Sequence, residues 1–159
     1  MPSQLIIDCS KILKEKGLTI AFAESVTAGR LAAEFSLTED SGSVLKGGIV
    51  CYDAEVKEEV LGITSEYIKE FTPESAEVTR ELAIQLKEII RSDIQVAVTG
   101  LTTSGGSETS QKPVGTIFLH LVIRDNSIAV RKVFKGSPEQ IVLLAVDLAA
   151  KTIINELNK

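Results

Sequence analysis

One segment constrains the fold of this chain most: a short apolar run, followed by a few small residues and then by a helical pattern. The run LTIAFAE at 18–24 predicts a buried strand, and the residues Ser-Val-Thr-Ala-Gly at 25–29 predict a tight turn. The segment that starts at Arg30, RLAAEFSL, is rich in helix-forming residues. A strand that turns into a helix N-terminus is a recurrent site for anions or nucleophiles, because free N–H groups point out of the helix.

Strands and helices alternate through the rest of the sequence. The other predicted elements are, in chain order, a helix after Ser3 that stops at Gly17, a strand over 44–53, a helix over 54–62 capped by Asp53, a helix from Pro73 to Arg91 capped by Thr72, a strand over 94–100, two strands joined at Asp125-Asn126, and a helix from about Pro138 to Leu157. Early alternation followed by a late hairpin predicts one α/β domain over 1–159, with helices on both faces of a mixed sheet.

Composition excludes several classes of function. The chain has 159 residues, of which 44% are hydrophobic and 25% charged, as is typical of a folded domain. Its net charge of −5 gives no basic surface for nucleic acid or an anionic membrane. Aromatic residues make up only 4%, with no Trp, which leaves few side chains on which bases could stack. We therefore expect neither a nucleic-acid partner nor a membrane partner.

The cysteines and the single histidine narrow the chemistry further. Cys9 and Cys51 have no neighbouring His, so they form neither a disulfide framework nor a metal-binding spacing. The chain has a single histidine, His120, which argues against a Ser-His-Asp triad and against a His-rich metal site. Charged residues interrupt the N-terminal segment before any long apolar run, whereas a signal peptide has an uninterrupted apolar stretch there. We expect a cytoplasmic protein without a metal or other cofactor.

Polar or small residues follow the three predicted strands at their carboxyl ends. Ser25 follows the first strand, Tyr52 ends the second, and Gly100 ends the third and opens a glycine-rich loop. Ligands gather at this edge of a parallel sheet, so these residues are expected to share a cleft with Lys57. Taken alone, a serine after a strand is more often a helix cap. Taken together, the residues match a serine nucleophile with a lysine base, which requires no histidine.

That chemistry places requirements on each group. The Ser25 hydroxyl needs a base, and Lys57 can act as one only if burial or a nearby cation lowers its pKa. Tyr52 could hold Lys57 or relay a proton, and N–H groups of the turn at 25–29 or the loop at 100–106 could form an oxyanion hole. Two roles stay open for Glu24, which either orients Ser25 or Lys57 or pairs with a backbone N–H.

The segments 23–29, 51–63, 98–116 and 134–136 resemble, in order and spacing, the signatures of the CinA C-terminal domain family. The resemblance extends over nearly the whole chain and implies a three-layer α/β/α sandwich on a mixed, mainly parallel sheet with a C-terminal hairpin. It implies a nicotinamide mononucleotide amidohydrolase that releases ammonia and nicotinate mononucleotide in pyridine nucleotide recycling, without a metal. It also implies Ser25 as nucleophile, Lys57 as base and Tyr52 as its neighbour.

The same resemblance implies a nucleotide-binding surface and a homo-oligomer. The substrate-binding residues that it implies are Thr27, Ala28, Gly29, Gly100, Thr102, Gly105, Gly106 and Lys112. This sequence has Val26 for the family's cysteine, Ala54 for its asparagine, and Ser137-Pro138 for an Asp-Arg pair. Arginine binds phosphate through paired hydrogen bonds, so the loss of this arginine removes a natural phosphate clamp. Two readings therefore stay open: an active amidohydrolase with an altered pocket, and a nucleotide-binding or regulatory module that lost the reaction.

Overall fold

The computed structural model describes residues 1–159, which form seven helices and five strands. In chain order the elements are α1 (Gln4–Glu15), β1 (Ile20–Glu24), α2 (Arg30–Ser36), α3 (Ser41–Val44), β2 (Leu45–Val50), α4 (Ala54–Glu59), α5 (Ser65–Phe71), α6 (Ala76–Ile89), β3 (Ile94–Gly100), β4 (Thr116–Ile123), β5 (Asn126–Val133) and α7 (Pro138–Leu157). None of the helices combines the length and the apolar character that crossing a membrane requires.

The five strands form one mixed sheet in the order β2-β1-β3-β4-β5. β1 pairs in parallel with both β2 and β3, whereas β4 is antiparallel to β3 and to β5. Four of the five strands therefore run in the same direction, and only β4 opposes them. Glu24, the last residue of β1, pairs with Val50 on one side and Val98 on the other. The carboxyl ends of these three strands thus lie at the same edge of the sheet.

Two hydrophobic cores cover the two faces of the sheet. One core joins α1, α2 and α7 to the sheet and includes Phe22 and Phe35, whose ring centroids lie 5.1 Å apart. The other core packs α4, α5 and α6 against the opposite face, around Leu82 and Leu86. All five residues of β1 are buried, because the strand lies between two neighbours and under both helical layers. The predicted three-layer sandwich with a C-terminal hairpin is confirmed.

The strand predicted over 44–53 spans only Leu45–Val50, so Tyr52 follows the strand and does not end it, and the helix predicted over 54–62 ends at Glu59. Two further predicted boundaries are wrong because of backbone geometry. The helix predicted from Pro73 to Arg91 begins only at Ala76, where the Ser75 side chain accepts from the Val78 N–H as its cap. Thr72 is not that cap; its φ of 71° ends the preceding helix α5, which the sequence analysis does not predict. In the hairpin, Arg124 adopts a φ of 55° and Asn126 already belongs to β5, so the turn lies one residue earlier than predicted.

Candidate active site

Ser25 lies at the carboxyl edge of the sheet, directly after the central strand β1. Its backbone N–H donates to the Val98 carbonyl of β3 at 3.0 Å, which extends the pairing of the two strands by one residue. The residue is only 5% exposed. The hydroxyl is therefore held at a defined position between strand and turn, as a nucleophile requires.

The turn after Ser25 is held by the carboxylate of Glu24, which is 1% exposed. It accepts from the Thr27 hydroxyl at 2.6 Å and from the N–H groups of Gly29, Leu31 and Ala32 at 3.1, 2.9 and 2.8 Å. These donors surround the N-terminus of α2, where a negative charge is also favoured by the helix dipole. Of the two roles left open for Glu24, the structure shows the pairing with backbone N–H groups.

The turn leaves two backbone N–H groups without a protein acceptor, those of Val26 and Thr27. Ala28 and Gly29 follow in the left-handed region, with φ values of 47° and 93°, and so turn the chain into α2. Val26 also lines the cleft above Ser25. Its N–H is available for a developing oxyanion next to the nucleophile, although the side chain is not the cysteine of the family signature.

Lys57 reaches Ser25 from the helix α4, which Asp53 caps as predicted. Its Nζ lies 3.0 Å from Ser25 Oγ and donates to the carbonyls of Cys51 at 2.7 Å and Tyr52 at 3.3 Å. The side chain is fully buried. Burial lowers the pKa of the Lys57 ammonium below its ordinary 10.5, while nearby negative charges, among them Glu74, partly oppose that shift. The arrangement supplies what a lysine base needs.

Tyr52 and Cys51 surround this pair in different ways. The Tyr52 side chain is 65% exposed and lines the cleft, and its hydrogen bond with Lys57 runs through the backbone carbonyl, not the phenol. The phenol therefore does not hold Lys57 in this structure, and a proton relay by Tyr52 stays a prediction. Burial raises the pKa of the Cys51 thiol to about 11, so it is protonated at neutral pH and is a poor nucleophile.

A cleft of about 190 Å³ opens above Ser25. It is lined by Ser25, Val26, Tyr52, Glu74, Gly100, Leu101, Thr102, Thr103, Ser104, Gly105 and Gly106. Four of the predicted substrate-binding residues, Gly100, Thr102, Gly105 and Gly106, are therefore in its wall. A Cβ on Gly100 would lie 2.6 Å from the Thr116 carbonyl oxygen, so the close approach of β4 requires a glycine here.

The loop after β3 forms one wall of the cleft. The N–H groups of Thr102, Thr103 and Ser104 donate to no protein acceptor. The next two, of Gly105 and Gly106, donate to the Glu108 carboxylate at 2.7 and 2.8 Å, which fixes the far side of the loop. The free N–H groups are donors that an oxyanion or a phosphate could use.

The remaining predicted substrate-binding residues lie outside the cleft wall. The Thr27 hydroxyl is turned towards Glu24, and Ala28 and Gly29 shape the turn beneath. The Lys112 ammonium donates to Thr72 Oγ1 at 2.7 Å, to the Glu74 carbonyl at 2.7 Å and to Ser107 Oγ at 2.8 Å. All three of its N–H donors are thus used within the protein, and Lys112 ties the loop to the segment before α6.

Glu74 lines the cleft but is not among the predicted site residues. It lies between α5 and α6, and its carboxylate accepts from the Ser107 hydroxyl at 2.5 Å. The sequence pattern predicts a helix at this position, whereas the helix α6 begins after its cap Ser75, so Glu74 lies in a connection that can face a site. No group of three His, Cys, Asp or Glu side chains is arranged to hold a metal ion.

The sequence model described as the CinA C-terminal domain matches residues 3–157. The chain belongs to the CinA C-terminal domain family. A CinA-like protein from Petrotoga mobilis is 36% identical over 149 residues, which cover 93% of this chain and 36% of that relative. The chain spans about a third of the length of the curated relatives that it matches.

Solved structures of CinA superfamily proteins have the same fold. A competence-damaged protein (CinA) superfamily protein from Klebsiella pneumoniae is 26% identical to this chain, with a TM-score of 0.92. The match covers 98% of this chain and 96% of the Klebsiella chain. The competence/damage inducible protein CihA from Agrobacterium tumefaciens is 27% identical, with a TM-score of 0.90, and the match covers 100% of this chain and 99% of the Agrobacterium chain. The predicted CinA resemblance is confirmed over nearly the whole chain.

Proposed function

We propose that this CinA-family chain is an amidohydrolase that converts nicotinamide mononucleotide to nicotinate mononucleotide and ammonia. The observation that carries the proposal is the 3.0 Å distance between Ser25 Oγ and the buried Lys57 Nζ. A lysine whose pKa is lowered by burial can take a proton from serine without a histidine. The reaction would serve the recycling of pyridine nucleotides.

Acylation begins when neutral Lys57 accepts the hydroxyl proton of Ser25. The serine oxygen attacks the carboxamide carbon and forms a tetrahedral intermediate, whose oxyanion the free N–H groups of Val26 and of the loop at 102–104 can stabilise. The C–N bond then breaks, and the leaving nitrogen takes the proton from Lys57 as ammonia departs. The acyl group remains as an ester on Ser25.

Deacylation repeats these transfers with water. Lys57, again neutral, accepts a proton from a water molecule that attacks the ester carbon. The ester C–O bond breaks, Ser25 recovers its proton from Lys57, and the carboxylic acid is released. One water is consumed, and one acid and one ammonia are formed.

A second candidate function is nucleotide binding without catalysis. The cleft wall contains no arginine or lysine side chain, and its charged side chain is the carboxylate of Glu74. An enzyme for a phosphorylated substrate would gain from a cationic clamp there. This observation favours a module that binds the nucleotide weakly, in a regulatory role, over an efficient hydrolase.

Product analysis with nicotinamide mononucleotide tests the two candidates. The amidohydrolase predicts equal amounts of ammonia and nicotinate mononucleotide, both absent with Ser25→Ala. The binding module predicts neither product but a higher melting temperature in the presence of the nucleotide, because a ligand that binds only the native state stabilises it. Neither product nor any shift would reject both functions for this nucleotide.

A further inference from the structure

The carboxylate of Glu74 is the charged side chain of the cleft wall. No other lining residue is an Asp, Glu, Lys, Arg or His, and Lys57 lies buried in contact with Ser25, outside the cleft wall. A ligand whose reacting carbon is at Ser25 therefore meets one charged side chain in the cleft wall, and that charge is negative. The nearest cations, Lys57 and Lys112, lie outside the wall and donate to protein acceptors. The family resemblance does not account for the negative charge, because Glu74 is not among the residues that the resemblance implies for the site.

Glu74 is held in place by neighbours that leave part of its carboxylate free. Ser107 donates to Oε2 at 2.5 Å, and Lys112 donates both to Ser107 Oγ at 2.8 Å and to the Glu74 carbonyl at 2.7 Å. Oε1 accepts from no protein donor, so one oxygen of this cleft-lining carboxylate remains available to a ligand. A carboxylate that is fixed before the ligand arrives loses little side-chain entropy on binding.

We infer that Glu74 is a specificity-determining residue that selects carboxamides carried on a cationic, N-alkylated pyridinium ring over the same carboxamides on a neutral ring. The inference rests on the proposed function, since it concerns what the ring next to the reacting carboxamide must carry. In nicotinamide mononucleotide the positive charge lies in the ring that bears the carboxamide. Placing the carboxamide at Ser25 therefore brings that charge into the cleft that Glu74 lines.

A pair of ligands that differ in ring charge tests this inference. Nicotinamide mononucleotide and its 1,4-dihydro form share the ribose, the phosphate and the carboxamide, but only the first has a cationic ring. Their dissociation constants are measured by calorimetry on Ser25→Ala, which prevents turnover, and on the same protein with Glu74→Gln or Glu77→Gln added. Glutamine keeps an acceptor for Ser107, and Glu77 is an exposed carboxylate at the start of α6 outside the cleft wall.

We expect Glu74→Gln to weaken binding of the cationic nucleotide about tenfold, as for a close charge pair in partial contact with water. Binding of the dihydro nucleotide should change less than twofold, and Glu77→Gln should affect neither ligand. An equal change for both ligands, or no change for the cationic one, would overturn the inference.

Ammonia release by the protein with native Ser25 separates this inference from the proposed function. Release of ammonia together with unchanged charge selectivity in Glu74→Gln leaves the hydrolase standing and rejects the role of Glu74. Charge-selective binding without ammonia release rejects the hydrolase and supports Glu74 as a recognition residue of a binding module. Failure of the nucleotide to bind Ser25→Ala at all would reject the role of Glu74 as well.

Discussion

Lys57 and Ser25 are separated by 32 positions in the sequence, yet Nζ of the one lies 3.0 Å from Oγ of the other. Parallel pairing of β1 with β2 brings the two together, because Ser25 follows the first strand and α4 begins shortly after the second. The ammonium is removed from solvent at the same point. This combination of contact and burial distinguishes a base from a surface lysine.

The pH dependence of hydrolysis should reflect the protonation of Lys57. Only the neutral amine accepts a proton, so kcat/KM is expected to rise with pH through the pKa of Lys57 and to level above it. Burial lowers this pKa below 10.5, and the negative charge of Glu74 raises it again. Glu74→Gln should therefore move the rising limb to lower pH, as measured by pH–rate profiles with nicotinamide mononucleotide. A shift to higher pH would contradict the assignment of Lys57 as base.

Ala28→Gly should stabilise the protein. Ala28 has a φ of 47°, a region that costs an L-residue roughly 1–2 kcal/mol and a glycine almost nothing. Glycine loses more entropy on folding, so we expect a net gain of about 0.5–1 kcal/mol in the free energy of unfolding. The measurement is urea denaturation.

Ala33→Gly is the matched control for that substitution. Ala33 is exposed on α2, where the same change should cost about 1 kcal/mol. Loss of stability in both variants would show that the left-handed geometry at Ala28 carries no strain that glycine relieves.

Glu24→Gln should destabilise the turn that carries Ser25. The buried carboxylate accepts four hydrogen bonds, and an amide would present N–H groups to one set of those donors. We expect a loss of about 2–3 kcal/mol in the free energy of unfolding, measured by urea denaturation. Glu88→Gln, on the exposed surface of α6, should change it by less than about 0.5 kcal/mol. Equal effects of the two substitutions would contradict the role of Glu24.

The sole histidine should produce a loss of stability in mild acid. Burial in β4, with a smaller effect of the Arg80 charge, lowers the pKa of His120 below 6.5 in the folded state. Between that pKa and 6.5 the unfolded chain binds more protons, so the free energy of unfolding falls as pH drops through this window. His120→Asn should flatten the pH dependence there, as measured by melting curves from pH 7 to 5. An unchanged slope would assign the acid sensitivity to other groups.

Much of the fold could be predicted because its signals are local. Ser3 and Asp53 cap their helices as predicted, and the strand Ile94–Gly100 matches the predicted span, since caps and apolar runs act on neighbouring residues. The break between α5 and α6 has no local signal in the sequence. It depends on the left-handed conformation of Thr72, which is a poor candidate for that geometry by residue type alone.

The candidate site was predictable where strand ends determine it and not where side chains meet across the fold. Ser25 and Lys57 come together as the strand order implies. Lys112 is instead drawn into bonds with Thr72 and Glu74, 38 to 40 positions away in sequence. The position of Glu74 in the cleft wall depends on the same hydrogen bonds with Lys112, and no local pattern around Pro73 predicts it.

The central claim is tested most directly by the rate of ammonia release from nicotinamide mononucleotide. The rate is measured for the native chain and for the Ser25→Ala and Lys57→Met variants. Methionine fills the buried space of Lys57 without a basic nitrogen, and melting curves confirm that each variant is folded. We expect the native chain to release ammonia and each variant to lose roughly a thousandfold or more, with no further loss in the double variant. A folded Ser25→Ala or Lys57→Met variant that keeps the native rate would contradict the serine–lysine mechanism, and a native chain that releases no ammonia would contradict the proposed hydrolysis of this nucleotide.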